Sequence, residues 1–454
     1  MNVLVVGGGV GGLAAAHALA RAGAGVTLVE RSSVLGGKVA TDRADGFVVE
    51  RGPDSFLTVR PAALELCREL GLDAEVTPPL EPHDVFVWHR DRLVPVPEGT
   101  GLGVPTRVAP FLASPLFSRR EKLRAALEIA VPDPGATGDV SIGAFLRRRF
   151  GDAVVDRLAG PLISAVYGAA IDELSLDALM PRLRDAARRH GSLVRAGLAA
   201  RGAARTPAGP LLVTLRRGMG SLVDALAARL GRTEVRLGVG LARLERVGPR
   251  YVARLDDGAR IGADDVVLAT PAGAAARALA DLAPAAADAL ATITYRGTVA
   301  VALAYDERQL PRPLGGHGFV VPDGALAIAA CTWSSAKWPD RAPSGTVLVR
   351  ATIRSDALLA GDDGTLADAA HRSLARAMGV AGRPVLVRVA RWDAAMPRYT
   401  VGHLERLARI EAALAPHPGI VLAGAAYRGA GVADCVAQGQ AAAMRILAAE
   451  RAAA

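Results

Sequence analysis

The chain has 454 residues, 51% of them hydrophobic, enough to bury the core of two or three domains. Its net charge of +9 and pI near 10.0 suggest a nucleic-acid binder, but only Lys38, Lys122 and Lys337 are lysines and aromatic residues are 4%, too few for base-stacking platforms. The arginine excess, in a chain crowded with alanine and glycine, follows a compositional bias of the kind a GC-rich genome imposes, so no nucleic-acid partner is expected. Cys67, Cys331 and Cys435 are too few and too scattered for a disulfide framework or a metal site, and they read as reduced cytosolic thiols. No apolar run approaches the roughly 18 residues of a membrane span, and nothing resembles a signal peptide ahead of the first strand.

That strand begins at Asn2 or Val3. Val3, Leu4, Val5 and Val6 form the continuous apolar run of a strand buried on both faces of a parallel sheet. Gly7, Gly9 and Gly12 follow in G-x-G-x-x-G spacing. Gly7 permits a tight turn, Gly9 lets a pyrophosphate approach the backbone, and Gly12 lets helix and strand pack closely. An alanine-rich helix to about Ala22 aims its amides and positive dipole end at the phosphates. A second strand over residues 26–29 ends in Glu30, placed to accept hydrogen bonds from a ribose diol. The order strand, glycines, helix, strand, acid predicts dinucleotide binding.

Next comes Leu35-Gly36-Gly37-Lys38, a second glycine turn that brings amides and a cation towards the cofactor. Glu50-Arg51-Gly52-Pro53-Asp54-Ser55-Phe56 then forms a bend fixed by Gly52 and Pro53. The fingerprint, the GGK turn and the GPDSF bend together resemble the flavin oxidoreductase superfamily of amine oxidases, phytoene desaturases and porphyrinogen oxidases. GPDSF itself is similar to the porphyrinogen oxidase branch.

From about residue 80 to 205 the character changes. Prolines break the first part, and amphipathic helices are predicted over 119–130 and 141–150, with Ser141 as an N-cap. Phe111, Leu112, Leu116 and Phe117 precede Arg119, Arg120, Lys122 and Arg124, an order that suits either a helix resting on an anionic membrane or an ordinary core segment with solvated flanks. A basic cluster between Arg182 and Arg205 serves an anionic substrate, a membrane surface or simply a solvated helix face. Gly160-Pro161-Leu162, Tyr167-Gly168 and Leu174-Ser175-Leu176 again resemble the porphyrinogen oxidases.

Residues 215–222 lead into a helix ending near Gly231. The run 234–244 reads as a strand pair, with Asp256-Asp257-Gly258 as a hairpin turn, and residues 266–271 as a buried strand closing the nucleotide sheet. Residues 292–391 are β-rich, and within them Trp333-Ser334-Ser335-Ala336-Lys337-Trp338 resembles the Gram-positive type of porphyrinogen oxidase. At the C-terminus, Arg391-Trp392 and Met396-Pro397-Arg398-Tyr399-Thr400-Val401-Gly402-His403 are similar to the family's W-x-x-x-M-P-Q-Y-x-x-G-H, with Arg398 in place of glutamine. A strand over 420–422 and Gly424 precede Gly431-Val432-Ala433-Asp434-Cys435, where the final helix starts with its positive end towards the flavin pyrimidine. His403, one histidine beside a glycine, reads as structural. Cys435 is not expected to anchor flavin covalently.

The resemblance implies an α/β fold: a glutathione-reductase-type, FAD-binding Rossmann domain in three parts (1–80, 211–290 and 391–454), a helical membrane-associated, substrate-lining domain (81–210), and a mixed β-sheet substrate domain (291–390). It implies FAD contacts at Gly7, Gly8, Gly9, Val10, Gly11 and Gly12, at Glu30 and Arg31, and at Gly37 and Lys38. It extends them to Gly52, Pro53, Asp54 and Ser55, to Leu241 and Thr270, and to Trp392, Gly424, Gly431, Val432 and Ala433. Arg60 is the candidate partner of a substrate propionate. No metal and no dedicated catalytic acid or base is marked. The implied activity is oxygen-dependent six-electron oxidation of coproporphyrinogen III to coproporphyrin III in haem synthesis, with H2O2 released. Hydride leaves a meso or neighbouring carbon for the flavin, and tautomerisation moves the remaining hydrogens. Protoporphyrinogen IX oxidation and a phytoene-desaturase-like reaction remain alternatives. A cytoplasmic enzyme is expected, with peripheral contact on the inner membrane face and hand-off to a ferrochelatase as options and the oligomeric state open.

Overall fold

The computed structural model describes every residue except 102, 132–137, 204–208, 355 and 454. Arg205, the end of the predicted basic cluster, therefore lies outside the described residues. The strand Asn2–Val6 alternates between two cores, with Val3 and Val5 packed on one side and Leu4 and Val6 on the other. This is why its apolar run is unbroken. It sits in the middle of a five-stranded, wholly parallel sheet ordered Glu234–Leu237, Gly25–Glu30, Asn2–Val6, Asp265–Leu268, Ile420–Leu422. One face is covered by the helices Val10–Arg21, Pro61–Glu69, Gly220–Ala228 and Val432–Ala453. The other carries an antiparallel meander (Leu241–Val247, Arg250–Leu255, Arg260–Ala263) and the helices Ala272–Leu279, Pro284–Ala291 and His403–Leu414.

Two sequence expectations change here. Glu234–Leu237 is not half of a hairpin: it pairs in parallel with Gly25–Glu30 at the sheet edge, and the meander begins only at Leu241. Asp265–Leu268 does not close the sheet, because Ile420–Leu422 lies outside it. Chain order runs outward on both sides of Asn2–Val6, so the crevice at the carboxyl ends of this strand and Asp265–Leu268 is the topological switch point where such sheets bind ligands.

A second, seven-stranded sheet is ordered Leu386–Pro397, Tyr295–Asp306, Thr346–Ile353, Ala330–Thr332, Gly318–Val320, Val85–His89, Arg92–Pro95, antiparallel except between Gly318–Val320 and Val85–His89. Val85–His89 and Arg92–Pro95 fall within the segment expected to be helical. Val299, Val301, Leu303, Val349 and Ile353 pack on the helix Asp363–Met378, and alternate residues Ala302, Ala304 and Leu348 face Phe47 and Val49 of the nucleotide-binding unit. Alternation thus gives the sheet one face towards its own helix and one towards the hairpin that carries Phe47 and Val49.

The helical region includes Arg119–Ala126, capped by a Ser118/Glu121 capping box, and Ile142–Phe150, where the Ser141 hydroxyl accepts from the Ala144 amide as expected. Its core holds Phe111, Leu116 and Phe117, which are 6%, 1% and 5% exposed. The reading of this stretch as a membrane face is corrected for those three residues, and Leu112, at 46%, is the exposed member. Its packing is pinned by Glu128, which accepts from Arg149, Ser192 and the amides of Leu193 and Val194. Among the described residues no helix is long and apolar enough to cross a membrane, and no group of three or more His, Cys, Asp or Glu side chains is placed to hold a metal ion.

Candidate active site

The glycine loop lies at the switch point. Gly7 has φ +107°, its amide donates to the Val29 carbonyl at 2.8 Å, and a Cβ there would sit 2.6 Å from the Ala269 carbonyl oxygen. A Cβ on Gly12 would overlap the Gly7 carbonyl oxygen, and one on Gly439 would overlap that of Gly11, so the first and last helices close on each other through glycine. A Cβ on Gly9, by contrast, meets nothing within 4 Å. Gly8, Val10 and Gly11 complete the loop and the helix start, with the Cys435 carbonyl oxygen 3.1 Å from the Cβ position of Gly11.

Glu30, at the end of its strand, accepts from the Gly8 amide at 2.6 Å and from the Ser32 amide and hydroxyl at 2.8 and 2.9 Å. Its second oxygen has one donor and keeps lone-pair capacity for a diol. Residues 238–241 run alongside: the Gly238 amide donates to the Ser32 carbonyl, that of Val239 to Glu30, and the Cβ position of Gly240 is 3.5 Å from Arg31. Leu241 and Arg31 are thereby brought beside Glu30. Thr270, following the strand Asp265–Leu268, buries a hydroxyl that has no protein partner among the described residues. A dinucleotide fits this set: open backbone at Gly9, a carboxylate with spare acceptor capacity, and an orphaned hydroxyl at the strand ends. Glu30→Ala is expected to weaken FAD by about 1–3 kcal/mol, since it removes charge-assisted hydrogen bonds. An unchanged dissociation constant in flavin titration of the apoprotein would contradict that role.

The GGK turn packs on this loop, with the Gly36 amide donating to Gly8 and the Cβ position of Gly37 3.2 Å from the Gly9 Cα. Lys38 then enters a largely buried position, its ammonium 5.6 Å from the Tyr295 ring centroid, and burial lowers its pKa to about 8. The GPDSF bend presses against Lys38 from the far side: a Cβ on Gly52 would overlap the Lys38 carbonyl oxygen. Arg350 donates to the Gly52 carbonyl and the Trp392 indole donates to that of Arg51 at 2.7 Å.

Asp54 makes the bend a lock. It accepts from the Lys337 ammonium at 3.0 Å, the Trp338 indole at 3.1 Å and the Ser55 hydroxyl at 2.7 Å. Burial opposes its charge, but Lys337, Arg350 and these hydrogen bonds outweigh burial and hold the carboxyl well below the usual range. The two motifs singled out in the sequence, GPDSF and W-S-S-x-K-W, are therefore halves of one contact. Asp54 and Ser55, expected at the cofactor, have their side chains engaged with each other and, through Asp54, with Lys337 and Trp338. Arg350, which sequence reasoning missed, has no local signal in its strand.

The last helix, Val432–Ala453, begins at this crevice, with Gly424 (φ +114°) and Gly431 leading to Val432 and Ala433. Arg60 lies 3.5 Å from Asp434 in its first turn and remains 66% exposed. Tyr167 borders the pair: burial pushes its phenol up, Asp434 adds to this and Arg60 opposes it. The Cys435 thiol is buried, and burial raises its pKa to about 12, which leaves it a poor nucleophile. His403 is fully buried, stacks on Tyr399 at 3.9 Å between centroids, and hydrogen-bonds the Tyr427 carbonyl at 2.9 Å. Burial lowers its pKa, as befits a neutral ring holding the turn. Arg398, the departure from glutamine, is paired with Glu173.

Over residues 10–447 the sequence matches the family of flavin-containing amine oxidoreductases. It is 40% identical to coproporphyrinogen III oxidase of Propionibacterium freudenreichii subsp. freudenreichii, over 96% of this chain and 88% of that one. It is 35% identical to the enzyme of the same name from Bacillus subtilis (strain 168), over 97% of both. A crystal structure from Exiguobacterium sp. 255-15, provisionally named a protoporphyrinogen oxidase, superposes with a TM-score of 0.88 at 34% identity, over 98% of both chains.

Proposed function

Because the chain belongs to the flavin-containing amine oxidoreductases and, within them, to the porphyrinogen oxidases, we propose that it oxidises coproporphyrinogen III to coproporphyrin III with O2 as acceptor. Its cofactor is FAD. What FAD supplies when bound is two-electron oxidation of a carbon–hydrogen bond with reoxidation by O2. Six electrons leave the macrocycle, so one porphyrinogen and three O2 give one porphyrin and three H2O2. The observation that carries this reading is the 40% identity over 96% of the chain to an enzyme of that name. The site agrees with it. The glycine loop and Glu30 hold the dinucleotide, the bend locked by Asp54 faces the crevice, and the amino end of Val432–Ala453 stabilises negative charge there. Aerobic conversion of coproporphyrinogen III to a fluorescent porphyrin with stoichiometric H2O2 tests it, and no flavin-dependent conversion overturns it.

Arg60, at the crevice mouth beside Asp434, is proposed to receive a substrate propionate. Arg60→Ala is expected to raise KM several-fold, and Arg60→Lys to restore it only in part, since a bidentate arginine–carboxylate contact is not reproduced by an ammonium. An Arg60→Ala enzyme with the parent KM contradicts the assignment.

A further inference from the structure

Two cationic stations flank the end of one helix, Gly160–Tyr167. The first is Arg60 with Asp434, beside Tyr167. The second belongs to the seven-stranded sheet. Arg354, at the end of the strand Thr346–Ile353, donates to the Ala165 carbonyl at 2.9 Å, and Arg296, at the start of Tyr295–Asp306, donates to the Arg354 carbonyl at 3.3 Å. Met396 pairs with Arg296 across the sheet and packs against Gly168, where an added Cβ would lie 3.1 Å from the Met396 Cβ. The short stretch 165–168 thus contacts the second station directly, through Ala165 and Gly168, and through Tyr167 lies within electrostatic reach of the first.

The second station has excess charge. Among the described side chains, which do not include that of Asp356, no carboxylate pairs within 4.0 Å with either guanidinium, and the buried Nε of Arg354 has no hydrogen-bond partner among them. Burial first and Arg296 second lower the Arg354 pKa to about 10, with only the exposed Asp323 opposing them. Two neighbouring cations held partly out of water without a counter-ion are costly unless an anion joins them. A guanidinium with an unused N–H is also suited to a carboxylate.

We propose that Arg296 and Arg354 form a second carboxylate-binding station that, with Arg60, favours a macrocycle bearing propionates on opposite edges. This rests on the porphyrinogen reading above. Coproporphyrinogen III carries a propionate on every pyrrole and engages both stations at once. Protoporphyrinogen IX carries two, on adjacent rings, and occupies one station at a time, leaving its vinyl edge against the other. When one station loses its charge, protoporphyrinogen turns to the other, whereas coproporphyrinogen is left with carboxylates that nothing pairs. The discrimination is therefore a property of the pair of stations, not of either arginine alone.

The test is the ratio of kcat/KM for coproporphyrinogen III to that for protoporphyrinogen IX in Arg296→Gln, with Arg296→Lys as the charge-retaining variant. Flavin absorbance first confirms that each carries FAD. Binding of the product coproporphyrin III, followed by quenching of protein fluorescence, gives a readout independent of turnover. The ratio is expected to fall at least tenfold in Arg296→Gln, about 1.4 kcal/mol of discrimination, to recover substantially in Arg296→Lys, and to fall together with coproporphyrin affinity. An unchanged ratio, or equal losses on both substrates, overturns the second station. A parent enzyme that oxidises neither porphyrinogen instead overturns the reading on which it rests.

Discussion

Asp54→Ala is expected to destabilise the protein by about 3–5 kcal/mol, because it strips the counter-ion from Lys337 and leaves the Trp338 indole without its acceptor. Breaking one half of a largely buried pair costs more than the pair itself is worth. Replacing both halves by apolar side chains, in Asp54→Ala with Lys337→Met, should therefore recover a good part of the loss. The pair's pH dependence follows from the sign of the shift. A carboxyl held below its unfolded value contributes fully above about pH 4, and the contribution is lost as the pH falls through the depressed folded value. The parent and Asp54→Ala should thus differ most at neutral pH and converge only in strong acid. A shift in the denaturant midpoint worth less than about 1 kcal/mol at pH 7 would mean that the bend stands without its lock.

The second large effect separates two glycines of the same motif. Gly12→Ala drives a methyl into the Gly7 carbonyl and forces the loop apart, so both stability and FAD binding should fall, the former by about 1–3 kcal/mol or more. Gly9→Ala meets no protein atom within 4 Å, and at φ −69° and ψ 172° its backbone suits any residue. Its apoprotein should keep the parent unfolding midpoint while FAD affinity falls about a hundredfold, near 2.7 kcal/mol, because the methyl stands where a pyrophosphate approaches. Equal FAD affinity in Gly9→Ala and the parent would place the dinucleotide elsewhere.

These contrasts show which parts of the molecule were legible in the sequence. The fingerprint was, because residues 3–30 carry their whole logic locally: an apolar run, spaced glycines and an acid at a strand end. The start of Val432–Ala453 announced itself in the same way by motif, whereas the helix Asp363–Met378 was hidden inside a stretch that reads as β-rich throughout. Glu234–Leu237 did not, since an edge strand pairing in parallel with Gly25–Glu30 lies some 200 residues from its partner and carries no turn to mark the register. Phe111, Leu116 and Phe117 were ambiguous for a different reason. An apolar stretch before a basic one describes a membrane face and a core segment equally well, and only packing against Phe150 and Leu158 in one cluster decides for the core. The W-S-S-x-K-W string was visible as a resemblance, but its task was not, because Lys337 and Asp54 are separated by 283 positions. Arg296 and Arg354 disappeared among many arginines, and what distinguishes them is that neither forms an ion pair among the described residues, a property of three dimensions.

The central claim is that this flavin enzyme acts on the tetrapropionate macrocycle. The most direct measurement is kcat/KM of the parent protein for coproporphyrinogen III and protoporphyrinogen IX under identical detergent and oxygen. Coproporphyrinogen III is expected to be the better substrate. A tenfold preference for protoporphyrinogen IX, about 1.4 kcal/mol of transition-state discrimination in the wrong direction, would contradict it.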